Sequence, residues 1–150
     1  MNAPPAYVLD TSVAVKWFAD EGGPEQANAV HLYQAFEEGR CRLRAPELLF
    51  FEIANALIYS YKLPGSKVLE SLDSLWQLKI DVEPLHWPTF TKAVEIASAC
   101  GATIYDSYFL ALALETDSLL VTADQVFLRK VRHLTNIISL RLLRLSEHTP

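Results

Sequence analysis

Apolar and polar positions fall into blocks whose period switches between that of a strand and that of a helix. Residues 6 to 10 form a short apolar run ending in Asp10-Thr11-Ser12, the pattern of a buried strand followed by a helix that Thr11 or Ser12 can cap. Pro24 opens a helical pattern through about Glu38, with Ala27, Val30, Leu32, Ala35 and Phe36 available for an inner face, and Gly39 stops it. A short strand over Arg42 to Ala45 follows. Pro46 fits the first turn of a helix reaching about Tyr61, and Pro64 with Gly65 punctuates the connection to another helix over Ser66 to Leu78. Ile80, Val82 and Leu85 mark a strand before a helix over Pro88 to Ala99, which Gly101 closes. Asp106 to Glu115 reads as a strongly apolar helix, Leu119 to Thr122 as a buried strand and Ile137 to Leu140 as a last one.

Strands alternating with helices predict an α/β sandwich whose mainly parallel sheet is flanked by helices on both faces. Ligands of such sheets gather beyond the carboxyl ends of the strands. Asp10 and Asp124 both follow a predicted strand directly, which puts two acids at the expected crevice. The 150 residues suit one domain over the whole chain, with no linker, repeat or low-complexity tract. A hydrophobic content of 51% beside 21% charged residues is that of a chain with a packed core. No basic leader pattern opens the chain, and no stretch approaches the roughly 18 apolar residues of a membrane span, so a cytoplasmic protein without membrane contact is expected. Cys41 and Cys100 have neither zinc nor disulfide spacing and read as buried thiols. His31, His86, His133 and His148 share no ligand spacing, and no glycine-rich phosphate loop or dinucleotide fingerprint points to a nucleotide cofactor.

Four acids stand where a charge is expensive: Asp10 ending AYVLD, Glu52 in LLFFEIANAL, Asp106 opening YDSYFLALAL and Asp124 after SLLVTA. Each alone has an ordinary explanation. Asp10, Asp106 and Asp124 suit capping or turn positions, and Glu52 can be satisfied by Asn55, which shares its helix face, or by the backbone. Brought together at one sheet edge, however, they repel: two carboxylates about 4 Å apart cost roughly 4 kcal/mol at an effective dielectric of about 20. A divalent cation reverses that sign. Oxygen donors without a nearby Cys or His cluster favour Mg²⁺ or Mn²⁺ over zinc, with Thr11, Ser12, Asn55 and Thr122 able to orient the carboxylates or bound waters.

The net charge of −5 argues against general coating of nucleic acid. From Gln125 to Pro150, however, Arg129, Lys130, Arg132, Arg141 and Arg144 face the single acid Glu147. That segment is either a solvated face or a phosphate contact beside an acidic metal centre. Lys16, Arg129, Lys130 and Arg132 are the candidates for such contacts, and Trp17 and Phe18 fit core packing or, alternatively, stacking on a base.

The stretches VLDTSVAVKWF, PELLFFEIANAL, TIYDSYFLALAL and LLVTADQVF, in this order and spacing, resemble the PIN domain family, and within it the ribonuclease toxins of VapBC-type toxin-antitoxin systems. The resemblance covers nearly the whole chain and implies a PIN-like three-layer sandwich. It implies that Asp10, Glu52, Asp106 and Asp124 are the catalytic and metal-holding acids, beside Thr11, Ser12, Asn55 and Thr122. It further implies Mg²⁺- or Mn²⁺-assisted hydrolysis of RNA, a homodimer, and an antitoxin whose tail covers the acidic cleft. Two rivals differ in class. A haloacid-dehalogenase-like phosphatase would need a second acid two places after Asp10, where Ser12 stands; a PIN-like module that only holds a metal or a basic peptide would share every motif.

Overall fold

A computed structural model describes residues 2–145; Glu147 and His148 lie outside the described residues. β1 (Ala6–Leu9) leads into a single helical turn, α1 (Thr11–Ala14), extended by a 3₁₀ turn, Val15–Trp17. Then follow α2 (Gly23–Glu37), β2 (Arg42–Pro46), α3 (Leu48–Tyr59), α4 (Gly65–Gln77), β3 (Asp81–Glu83) and α5 (Trp87–Cys100). The chain ends with α6 (Ile104–Glu115), β4 (Leu119–Thr122), α7 (Gln125–Lys130), β5 (Ile137–Ser139) and a 3₁₀ turn, Leu140–Leu142.

All five strands are parallel, in the order β3-β2-β1-β4-β5. The chain starts in the middle of the sheet, steps outward through β2 and β3, then returns to β1's other edge with β4. Strand order therefore reverses between β1 and β4, and their carboxyl ends splay around the crevice where ligands of open α/β sheets bind. Tyr7 pairs with Leu43 on one side and Leu119 on the other. Burial on both faces explains why β1 and β4 read as continuous apolar runs.

Helix α6 is buried without a break from Ser107 to Ala113 and packs on β1, β2 and β4, with α5 against its outer side. A helix covered from both sides has little use for an amphipathic pattern, which accounts for its uniformly apolar sequence. Gly101 ends α5 at φ +65, a left-handed turn that a side chain would strain.

Several boundaries differ from the sequence expectation. Pro46 does not open α3; it closes β2, buried and paired with Glu83, at the strand end where a missing N–H costs least. Thr11 and Ser12 are helical, and Asp10 caps α1. Asp106 lies inside the first turn of α6, which Thr103 caps. Ile80 and Leu85 fall outside β3. Cys41 is buried as expected, with its thiol pushed up to about 11 by desolvation, whereas Cys100 is only half-buried, 3.8 Å from His133 Nε2.

Candidate active site

Asp10 is the innermost of the four acids, 7% exposed at the end of β1. Its protein hydrogen bonds converge on Oδ2, which accepts from the Ser12 hydroxyl, from Ser12 N at 3.3 Å and from Thr122 Oγ1 at 2.9 Å. The two hydroxyls also tie the crossing together: Ser12 Oγ accepts from Ala123 N at 2.9 Å, and Thr122 Oγ1 accepts from Asp124 N at 3.1 Å. The loops after β1 and β4 are thus stitched around one carboxylate. Despite these donors, burial pushes Asp10 up to about 6, assisted by the nearby charge of Asp106.

Glu52 comes from the middle of α3, and its Oε1 accepts from Thr11 Oγ1 at 2.8 Å. Desolvation raises its carboxyl to about 7, against the Thr11 hydrogen bond, with Asp10 and Asp106 pushing the same way. Asp106, in the first turn of α6, is raised first by burial and then by Asp124, while the Thr103 hydrogen bond and, less, Lys130 pull it down. Asp124 caps α7 by accepting Phe127 N on Oδ1 at 3.0 Å. The capping roles open in the sequence are therefore real for Asp10 and Asp124, yet both side chains also line the same cleft as Glu52 and Asp106. That cleft is open, about 410 Å³, and bounded by Asp10, Thr11, Ser12, Glu52, Asp106 and Asp124 on its inner side.

The donor chemistry fits a hard divalent cation. Asp10, Glu52 and Asp124 each spend one carboxylate oxygen on protein donors, and among the described residues no hydrogen bond reaches the other. Burial first, and then mutual repulsion, push the carboxyls of Asp10, Glu52 and Asp106 upward, and a cation beside them would act in the opposite direction. Among the described residues no three Asp, Glu, His or Cys side chains stand close enough together to hold a metal ion as they are. The arrangement is an open acidic cleft with the four carboxylates in its lining.

Other expected site residues divide. Thr11, Ser12 and Thr122 contact the acids directly. Asn55 is exposed, outside the cleft's lining, and Glu52 takes Thr11 as its partner instead. Arg129, Lys130 and Arg132 are exposed on and just after α7. Lys16 is 6% exposed, and its ammonium lies 2.6 Å from Glu21 Oε2, so it presents no open cation to solvent. Trp17 is half-buried against the core, donating to Ala29 O at 2.8 Å and meeting Tyr33 edge-on. Phe51 and Tyr59 of α3 are exposed. Two cleft residues had no sequence signal: Glu21 and Tyr61 stand in ordinary polar surroundings and meet across forty positions of chain.

The family model described as PIN domain matches residues 7–133. Solved structures share the fold at low identity. PAE2754 from Pyrobaculum aerophilum is 19% identical, with a TM-score of 0.63 over 91% of this chain and 90% of that one. A toxin-antitoxin complex from Klebsiella pneumoniae is 13% identical, with a TM-score of 0.64 over 89% and 97%. VapBC-5 from Mycobacterium tuberculosis, a member of the VapBC family of toxin-antitoxin systems, is 15% identical, with a TM-score of 0.57 over 91% and 98%. No curated protein sequence matches.

Proposed function

The chain belongs to the PIN domain family, and from that premise we propose that it is a metal-dependent endoribonuclease, the toxin of a toxin-antitoxin pair. The observation that carries this reading is the meeting of Asp10, Glu52, Asp106 and Asp124 in one open cleft at the reversal of strand order. Held there by these carboxylates, Mg²⁺ or Mn²⁺ would supply Lewis acidity for phosphodiester hydrolysis and a more acidic water.

The chain's own residues do the rest. Asp10 and Asp124 would hold the cation, since each has, among the described residues, an oxygen that no hydrogen bond reaches, beside a strand end tied by Ser12 and Thr122. Glu52, at about 7, is poised to take a proton from the attacking water, and Thr11 aims it. Asp106 completes the negative lining. Arg129, Lys130 and Arg132 contact the backbone of a single-stranded or looped RNA, whose phosphates are open to approach.

Two of the similar structures are toxin-antitoxin proteins, which supports a cognate antitoxin reaching over this cleft. The apolar pocket lined by Phe51, Leu85, Phe90 and Tyr105 suits a homodimer. The decisive experiment incubates antitoxin-free protein with mixed cellular RNA in Mg²⁺, Mn²⁺ or EDTA, beside Asp10→Asn. Discrete products that need the metal and vanish in the variant are expected. Folded, metal-loaded wild type that cuts nothing would favour the binding module over the nuclease.

A further inference from the structure

Glu21, in the loop between the first 3₁₀ turn and α2, is a fifth acid in the cleft, and both its oxygens are occupied. Oε2 accepts from Lys16 Nζ at 2.6 Å, and Oε1 accepts from the Tyr61 hydroxyl. Two donors from separate parts of the chain, the 3₁₀ turn and the connection just after α3, thus converge on one anionic group at the edge of the acidic cleft.

The pair is lopsided. Lys16 is 6% exposed, whereas the Glu21 side chain is 42% exposed. Glu21 can turn into water at little cost, but Lys16 cannot follow, and a buried ammonium left alone is strongly unfavourable. Whatever displaces Glu21 must bring an anion. The Glu21 side chain is the part that can move: the loop backbone is held where Gly22 N donates to Asp20 Oδ1 at 2.7 Å, whereas Glu21 N reaches its side-chain acceptor, Gln26 Oε1, only at 3.4 Å. Lys16, by contrast, is buried, and its backbone is held by the carbonyl accepting Gln26 Nε2 at 2.7 Å.

We propose that Lys16 Nζ and Tyr61 Oη form a phosphate subsite for the RNA strand beside the scissile bond, and that the Glu21 carboxylate fills this subsite in the free protein. The inference rests on the nuclease reading and adds a second anchor to the basic residues near α7. A substrate phosphodiester replaces Glu21 and keeps Lys16 compensated, so the acidic cleft admits a polyanion without leaving a cation bare. Glu21 is accordingly a competitor of substrate.

Binding of a fluorescent single-stranded RNA in EDTA, where no cleavage occurs, tests this sign. Glu21→Gln is expected to tighten binding by roughly 3- to 10-fold, a size suited to one charge-assisted phosphate contact. Asp20→Asn, which removes a neighbouring charge that does not touch Lys16, is expected to change binding less than twofold. Adding Tyr61→Phe to Glu21→Gln should abolish most of the gain, with far-ultraviolet dichroism verifying each fold. Equal gains from Glu21→Gln and Asp20→Asn would reduce the effect to general electrostatics and overturn the subsite. Unchanged or weaker binding by folded Glu21→Gln would overturn it too. Wild-type cleavage in Mn²⁺, run in parallel, separates the outcomes: with cleavage intact only the subsite falls, whereas a wild type that neither binds nor cuts RNA removes both.

Discussion

Asp10 sits out of water with its donors gathered on one oxygen and its carboxyl at about 6, above the ordinary value of about 3.9. The native state therefore holds that proton more tightly than the unfolded chain does. Stability from this source is fully present below the unfolded value and is lost as pH rises through about 6. Asp10→Asn should consequently raise the melting temperature in EDTA at pH 8, by up to about 3 kcal/mol of stability, with the advantage shrinking toward pH 4.5. Thermal melts across that range check it; a constant gap would remove the titration from the explanation. Glu52 offers a kinetic counterpart. Thr11→Val deletes the hydrogen bond that favours the charged carboxylate, so its pKa rises further above about 7. The acidic limb of the pH–rate profile should move to higher pH, with a severalfold loss near pH 6.5, for a contact of about 1 kcal/mol, and little loss at pH 9. A profile that merely drops without moving would assign Thr11 a packing role.

Helix α7 connects the acid site to the basic residues, because Asp124 both lines the cleft and caps the helix bearing Arg129 and Lys130. The two roles separate by substitution. Asp124→Asn keeps an acceptor for Phe127 N and should leave stability within about 0.5 kcal/mol, whereas Asp124→Ala should cost about 1 kcal/mol by denaturant unfolding. Both should lose cleavage by the same large factor. Activity surviving in Asp124→Asn would make the residue a cap only. At this scale the sequence was readable wherever burial is two-sided: β1, β4 and α6 announce themselves as continuous apolar runs. It was misleading at Pro46, where a residue suited to a helix start instead ends a strand, since pairing with β3 decides the matter. The i, i+3 spacing likewise grouped Asn55 with Glu52, although α3 buries only the side holding Leu49, Ile53 and Leu57 and leaves Asn55 in solvent.

For the whole molecule, a cation that binds only the folded cleft must stabilise it. Mn²⁺ at a hundred times its dissociation constant should add about 2.7 kcal/mol. Asp10→Asn should lose most of that gain, and the wild-type gain should be larger at pH 8 than at pH 5.5, because the cation competes with the protons on Asp10 and Glu52. Scanning fluorimetry with Mn²⁺ titrated at both pH values measures this, and equal gains in wild type and variant would place the cation elsewhere. Exposed Phe51, Leu85, Trp87 and Tyr105 leave an apolar surface near the cleft. Sedimentation should find a dimer, and Phe51→Ser should shift it toward monomer.

The sequence by itself determined the alternation of strands and helices, and it marked the four acids, because a charge inside an apolar run is costly and legible without any partner. Two of them it placed at strand ends. What it could not determine was the order in which strands lie side by side, and it is the β1/β4 neighbourhood that makes those ends one crevice. Only the tertiary structure decided that Glu52 answers to Thr11, that Lys16 turns inward, and that Glu21 and Tyr61 meet at the cleft's edge. The reason is physical: periodicity records which residues avoid water, whereas the partner of a polar group is set by distances between elements far apart in the chain.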